Sequence, residues 1–408
     1  MNKVMLVSMP FGALERQSIG LSLLKAALTQ VDIACDVRYL TFAFAEFIGF
    51  EEYQWLSFEM PYTAFAGDWA FTEALYGERP AVDHAYVEEV LVQKWQLDEN
   101  TIRRLLRIRS YVQHFIHYCL DAVSWEDYSI VGFTSTFEQN IASLALARQL
   151  KALYPQISIV FGGANWEGEM GCELHRQFEF VDFVCSGEAD ESFPALARHI
   201  LAGEPVESYA ASIPGISYRQ GGETLYTGQA PMIADMDALP IPDYSDYFAD
   251  VGQSTVGASV VPVLLVETSR GCWWGVKSHC TFCGLNGGTM SFRSKSAHRA
   301  LDELEFLVDR WRVEFVEVVD NILDMRYFHD MLPALAQAGR PLQIFYEVKA
   351  NLNRRHLEVL RSAGVTRIQP GIESMSDHVL KLMRKGTSAM INIQLLKWCQ
   401  EYGIAVDW

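Results

Sequence analysis

The chain has 408 residues, half of them hydrophobic and about a fifth charged, enough for two domains with sizeable cores. Its formal net charge of -18 speaks against a general nucleic-acid binder, because neutralising phosphates takes Lys and Arg. The apolar run in the opening MNKVMLVSMPFG is too short for a signal peptide or membrane span, and no run of eighteen apolar residues follows, so a cytoplasmic protein with no membrane partner is expected.

The first strand is expected at Val4–Ser8, with a helix near Ile19–Leu28 and a second strand over Ala34–Leu40. Phe44–Val123 breaks the alternation and reads as a helical insertion. Within it Leu105, Ile108, Val112, Phe115 and Cys119 recur at spacings of three and four, giving one apolar helix face. The same helix carries Arg103, Arg104, Arg107 and Arg109, either a solvated face or a dock for an acidic group. Alternation resumes with strand Ile130–Thr134, helix Asn140–Leu153, strand Ile157–Phe161, a strand near Phe180–Cys185 and helix Ser192–Leu201. These βα units predict a parallel sheet with ligands at the carboxyl ends of its strands. They carry no G-x-G-x-x-G, which speaks against a nicotinamide cofactor. Residues 1–205 are thus one α/β domain with an insertion at about 44–123, and the Pro- and Gly-punctuated stretch 206–260 reads as a connector.

A second alternation fills 261–408. Strands are expected at Val263–Glu267, Phe315–Val319, Gln343–Val348 and Arg367–Gln369, with helices Ala297–Trp311, Tyr327–Ala338, Arg354–Ala363, Asp377–Met383 and Ile391–Tyr402 between and after them. A fifth strand begins at Ile404, where the series stops, so a partial, truncated barrel is expected.

Just after the first strand of this series stand Cys272, Cys280 and Cys283, spaced C-x7-C-x2-C. Three thiols in so short a stretch of a chain from a reducing compartment point to a metal centre. Thiolates are the usual ligands of iron–sulfur clusters, and three of them leave one iron of a cubane open to another ligand. A zinc site completed by His279 is the alternative. The other five cysteines are scattered in apolar surroundings and read as small core residues.

Gly271-Cys272-Trp273-Trp274-Gly275 and Cys280-Thr281-Phe282-Cys283-Gly284-Leu285-Asn286-Gly287 resemble the cluster loop of the radical S-adenosylmethionine (SAM) superfamily. The usual spacing there is C-x3-C-x2-C; the wider spacing here is similar to the variant found in proteins that mature ribosomally made peptides. The resemblance implies a [4Fe–4S] cluster on the three cysteines, SAM on its open iron, reductive cleavage of SAM, and attack on an unactivated carbon of a precursor peptide. It implies an electron donor such as flavodoxin or ferredoxin as a second partner. It further implies SAM contacts from Phe282 beside the last cysteine, and from Asp320, Lys349, Glu373 and Ser374 at successive strand ends. Each of the strand-end residues also reads as a helix cap or turn residue.

The first domain resembles the cobalamin-binding domains that precede many radical SAM domains, on Met9-Pro10, Ser18–Leu21, Gly132–Ser135, Phe161–Gly163 and Ser186–Glu188. The resemblance implies a Rossmann-like cobalamin domain with Ser135, Gly162 and Gly163 near the cofactor, and C-methylation as the reaction. D-x-H-x-x-G is absent, so cobalamin would bind without a protein histidine. A scaffold that no longer binds it, with epimerisation, hydroxylation or cross-linking as the reaction, is the alternative. A non-catalytic, zinc-stabilised binding protein is the alternative from another class.

Overall fold

The computed structural model describes residues 3–284 and 290–408. The chain divides into two compact units, one formed by 1–233 with 240–261, the other by 234–239 with 262–408. Among the described residues no helix is long and apolar enough to cross a membrane.

The first unit is built on a seven-stranded sheet: β1 (Lys3–Ser8), β2 (Ala34–Tyr39), β3 (Ile130–Thr134), β4 (Ser158–Gly162), β5 (Phe183–Cys185), β6 (Ile216–Gln220) and β7 (Glu223–Tyr226). Their spatial order is β2-β1-β3-β4-β5-β6-β7. The first five run parallel, as expected from the alternation. Val4, Leu6, Ile130, Val131 and Ile159 are fully buried or nearly so, which is why these strands read as apolar runs rather than alternating ones.

The segment expected as a connector belongs largely to this unit. β6 and β7 form an antiparallel hairpin that extends the sheet from β5. Gly221 and Gly222, at φ of +60° and +85°, make its two-residue turn, a conformation other residues resist. Helix Ser245–Gln253 then covers the outer edge of β2. Its Asp246 accepts from Val37 N–H at 2.8 Å and its Asp250 from Tyr39 N–H at 2.9 Å. Two of the free ladder N–H groups of the edge strand are thereby satisfied.

The insertion is helical. Helix Glu99–Asp121 buries Leu105, Ile108, Val112, Phe115 and Cys119, the face the spacing predicts. Its arginines are engaged inside the unit: Arg104 and Arg107 pair with Glu52, Arg109 with Asp83 at 2.9 Å, and Arg103 donates to Asn100. The insertion is stitched to the βα layer by two carboxylates. Asp68, in the first turn of helix Ala66–Tyr76, accepts from Ile141 N–H at 2.9 Å, in the first turn of helix Asn140–Leu153. Glu138, just before that second helix, accepts from Gly67 N–H at 2.9 Å in the first. Each acid caps the other's helix, where free N–H groups and the helix dipole favour an anion.

The second unit holds a five-stranded parallel sheet, β8 (Leu264–Val266), β11 (Phe315–Val318), β12 (Gln343–Val348), β13 (Val365–Pro370) and β14 (Ala405–Val406), in the order β14-β13-β12-β11-β8. Helices Ala297–Trp311, Met331–Ala338, Arg354–Ser362 and Ala389–Tyr402 connect successive strands. A short antiparallel pair, β9 (Ser269–Arg270) with β10 (Arg293–Ser294), lies at the carboxyl end of β8.

Candidate active site

The loop between β9 and β10 carries the three cysteines, and their pairing closes it at the base. Gly271 opens it at φ +83°, and a Cβ there would lie 1.9 Å from Ser291 O, so only glycine fits before the first cysteine. Cys272 then starts the short helix Trp273–Lys277, its Sγ accepting from Gly275 N–H at 3.3 Å. Trp273 Nε1 donates to Leu323 O at 3.0 Å. Leu285, Asn286 and Gly287 of the quoted motif lie outside the described residues.

Cys272, Cys280 and Cys283 all line one cavity of about 390 Å³ at the carboxyl ends of β11, β12 and β13. Phe282, Lys349 and Glu373 line it too. Trp274, Trp408, Glu347 and Lys385 complete the charged and aromatic part of its wall. Glu373 Oε1 accepts from Lys385 Nζ at 2.9 Å. Lys349 Nζ donates to Lys385 O at 2.5 Å and stands 3.8 Å from the centroid of Trp274. Burial, then repulsion from Lys385, lowers Lys349 to about 8. Burial pushes the Cys280 thiol up, and the Lys385 and Lys349 ammonium groups oppose it.

Two of the strand-end residues lie elsewhere. Asp320 is buried beside the base of the loop, not on the cavity wall. It accepts from Thr268 N–H and Ser269 Oγ, both at 2.7 Å, and from the Thr268 hydroxyl at 2.5 Å. Burial raises it to about 6 against these bonds. Ser374 does not line the cavity either; its Oγ accepts from Ser376 N–H at 3.0 Å.

Glu347 and Lys385 were not expected. Glu347 stands two residues before Lys349 on β12, hence on the same strand face, and that period of two was the available signal. Lys385 sits in a turn after helix Asp377–Leu382, where no strand-end pattern points to it.

The donor set fits an iron–sulfur cluster. Among the described residues no three His, Cys, Asp or Glu side chains converge as a single ion requires. His279 is exposed, and its ring Nε2 lies 3.3 Å from Cys283 O. Three thiols spread around one cavity suit a centre whose metal atoms take one thiolate each.

In the first unit, Ser135, Gly162 and Gly163 gather at the ends of β3 and β4. Ser135 is buried, its Oγ accepting from Asn165 Nδ2 at 3.0 Å. Gly163 stands at φ +91°, and a Cβ there would meet Ser135 O at 2.6 Å. None of the three lines the open cavity of about 800 Å³ nearby, which is walled in part by Phe65, Phe137, Met170, Asn140 and Asn165. Asp68, Glu169, Glu173 and Arg176 also line it, so apolar faces, side-chain amides and charges share its wall.

The family pattern of the Radical SAM superfamily matches residues 266–407. An uncharacterised methyltransferase of Pyrococcus horikoshii is 25% identical over 283 residues, 68% of this chain and 59% of the relative. The cobalamin-dependent SAM radical enzyme OxsB, solved with aqua-cobalamin and SAM, superposes at a TM-score of 0.65 with 16% identity, over 100% of this chain and 48% of that one. The radical SAM methyltransferase TsrM of Kitasatospora setae, solved with tryptophan and a SAM analogue, gives 0.61 with 14% identity, over 100% and 67%. The chain therefore spans less than two thirds of the Pyrococcus relative and about half of OxsB. The cysteine loop placed after β8 and the parallel βα series behind it fall within residues 266–407, the stretch that matches the pattern of the Radical SAM superfamily.

Proposed function

We propose that this protein is a cytoplasmic radical SAM enzyme that methylates an unactivated carbon of a ribosomally made precursor peptide, with a [4Fe–4S] cluster, SAM and cobalamin as cofactors. The observation that carries the reading is the meeting of Cys272, Cys280 and Cys283 with Phe282, Lys349 and Glu373 around one cavity. Support for methyl transfer comes from the names of the relatives, and support for cobalamin from the likeness of both units to the cobalamin-dependent fold. Support for a peptide substrate is the Gly271–Gly275 and Cys280–Gly287 resemblance.

The three thiolates would hold the cluster. When bound, the cluster supplies one-electron cleavage of the SAM sulfonium bond, and cobalamin supplies a transferable methyl group. The chain supplies placement. Lys349 offers a cation for a SAM carboxylate at the end of β12, and Glu373 an acceptor at the end of β13. Phe282 offers a ring face for the adenine, and the apolar walls of Ile372 and Pro370 keep bulk water from the reacting carbon. Electrons come from a flavodoxin or ferredoxin; no nucleic acid or membrane takes part.

Anaerobic reconstitution tests the reading. About four irons and four sulfides per chain are expected, with SAM cleavage after reduction. Mass spectrometry of a treated precursor peptide is expected to show the gain of one methyl group. Zinc in place of iron, without SAM cleavage, would overturn the cluster; epimerised or cross-linked peptide of unchanged methyl content would overturn the methyl transfer.

A further inference from the structure

The cysteine loop is held on its far side by the turn that follows helix Asp377–Leu382. Thr281 N–H donates to Met383 O and its hydroxyl to Leu382 O, both at 3.2 Å. Trp274 Nε1 donates to Arg384 O at 3.2 Å. The indole also lies under the Lys349 ammonium. Its six-membered ring fills the place where residue 386 would carry a side chain: a Cβ on Gly386 would lie 2.2 Å from Cη2 and Cζ2 of Trp274. Gly386 stands at φ +62°.

Seven residues separate Cys272 from Cys280. So long a spacer has many conformations that point the two thiols apart, and ordering it costs entropy. Packing within the spacer must offset that cost: Trp273 reaches Leu323 O beyond β11, and Trp274 reaches the turn after helix Asp377–Leu382. We infer that the contact of Trp274 with Gly386 is a positioning lock for the iron–sulfur centre: neither residue is a ligand, yet together they hold the loop so that Cys272 faces the same cavity as Cys280 and Cys283, and so set how firmly the centre is retained. The inference rests on the cluster reading above. Gly386 is the more diagnostic partner, because it lies outside the cavity lining and has no side chain of its own, and a Cβ there meets the indole.

The test uses the whole chain, reconstituted anaerobically, as wild type, Trp274→Ala, Trp274→Phe, Gly386→Ala, the Trp274→Ala/Gly386→Ala double variant and Gly403→Ala. Gly403 ends helix Ala389–Tyr402 at φ +63° with nothing within 4 Å of a Cβ, so its substitution carries the same backbone penalty without the clash. Iron and sulfide content, the absorbance decay under a chelator, and the electron paramagnetic resonance of the reduced centre are read, with the melting of each apo chain as the check on folding. Gly386→Ala and Trp274→Ala are expected to lose the centre roughly tenfold faster than wild type, as other supports of metal ligands do. Their reduced spectra should shift, and Gly403→Ala should match wild type. Trp274→Phe keeps a ring but loses the bond to Arg384 O and should lie between. The double variant should lose the centre no faster than Trp274→Ala alone, since the clash has no target once the indole is gone. Equal decay in Gly386→Ala and Gly403→Ala, or additive losses in the double variant, would overturn the lock. A wild type that takes up no iron would overturn the cluster reading, and the lock with it.

Discussion

The Asp320 carboxylate at the end of β11 takes the backbone N–H of Thr268 on one oxygen, at 2.7 Å, and the Thr268 hydroxyl on the other. It thereby fixes the exit of β8, from which the cysteine loop departs. An amide in its place offers one acceptor oxygen and turns a donor toward donors. Asp320→Asn is expected to destabilise the apo chain by about 1–3 kcal/mol, read by urea unfolding, and to lower iron uptake. Unchanged stability would show that the loop base holds without this carboxylate.

Asp68 and Glu138 give a pH dependence of definite sign. Burial raises Asp68 to about 6 and Glu138 to about 7, above the unfolded values near 3.8 and 4.5. Between these values the folded chain holds more protons than the unfolded one, so their contribution to stability falls as pH rises through about 4 to 7 and is recovered on acidification. Asp68→Asn cannot titrate. The stability of wild type relative to this variant is expected to increase, by of order 1–3 kcal/mol, as pH falls from 7 to 4.5. A difference that does not move with pH would contradict the assignment.

Arg109 and Arg107 share a helix but not a fate. Arg109 is 9% exposed and grips Asp83 through two bonds of 2.9 Å; Arg107 is 60% exposed and reaches Glu52. Arg109→Ala should cost about 1–3 kcal/mol, because it removes the charged hydrogen bonds to Asp83, a half-buried carboxylate then left with its bond from Trp69 Nε1, and Arg107→Ala less than about 1 kcal/mol. Calorimetric melting of the two variants decides it; similar small losses would reopen this helix as a docking face.

Removal of any one of Cys272, Cys280 or Cys283, as serine variants, should abolish most iron uptake, since each thiolate is proposed as a ligand. Cys185→Ser is the control: that thiol is buried in the first unit, and burial alone raises its pKa to about 12. Retention of full iron content by Cys283→Ser would remove that residue from the ligand set.

Lys349→Met should weaken SAM binding by roughly tenfold or more, the cost of a charge-assisted bond, while iron content stays near wild type. Equilibrium dialysis with the reconstituted protein measures both. SAM affinity unchanged in this variant would assign the SAM carboxylate to another group.

Elements with a clear period were legible before the structure. The apolar runs of β1, β3 and β4 and the three-four spacing from Leu105 to Cys119 each point to one packing solution. The cysteine spacing was legible because its chemistry is specific. What escaped were contacts made at a distance in sequence. Gly221-Gly222 was read as punctuation, whereas the alternating residues on either side make a hairpin that β5 recruits into the sheet. Asp246 and Asp250 gave no sign that their acceptors would meet β2, some two hundred residues earlier. Lys385 joined the cavity through tertiary placement, which no local pattern encodes, whereas the period of two from Lys349 pointed to Glu347. Asp320 was expected on the cavity and instead sits under the loop: a residue at a strand end can face either the mouth or the neighbouring strand, and side-chain direction is not read from position alone.

The reciprocal caps of Asp68 and Glu138 bear on how the first unit comes together. Each helix start finds its partner only when the other is already in place, so neither gains from forming alone. The insertion and the βα layer are therefore expected to form one cooperative folding unit, although five α-helices separate β2 from β3 along the chain. Hydrogen exchange should find the amides of Gly67 and Ile141 opening together, with a common free energy, rather than as two independent frays.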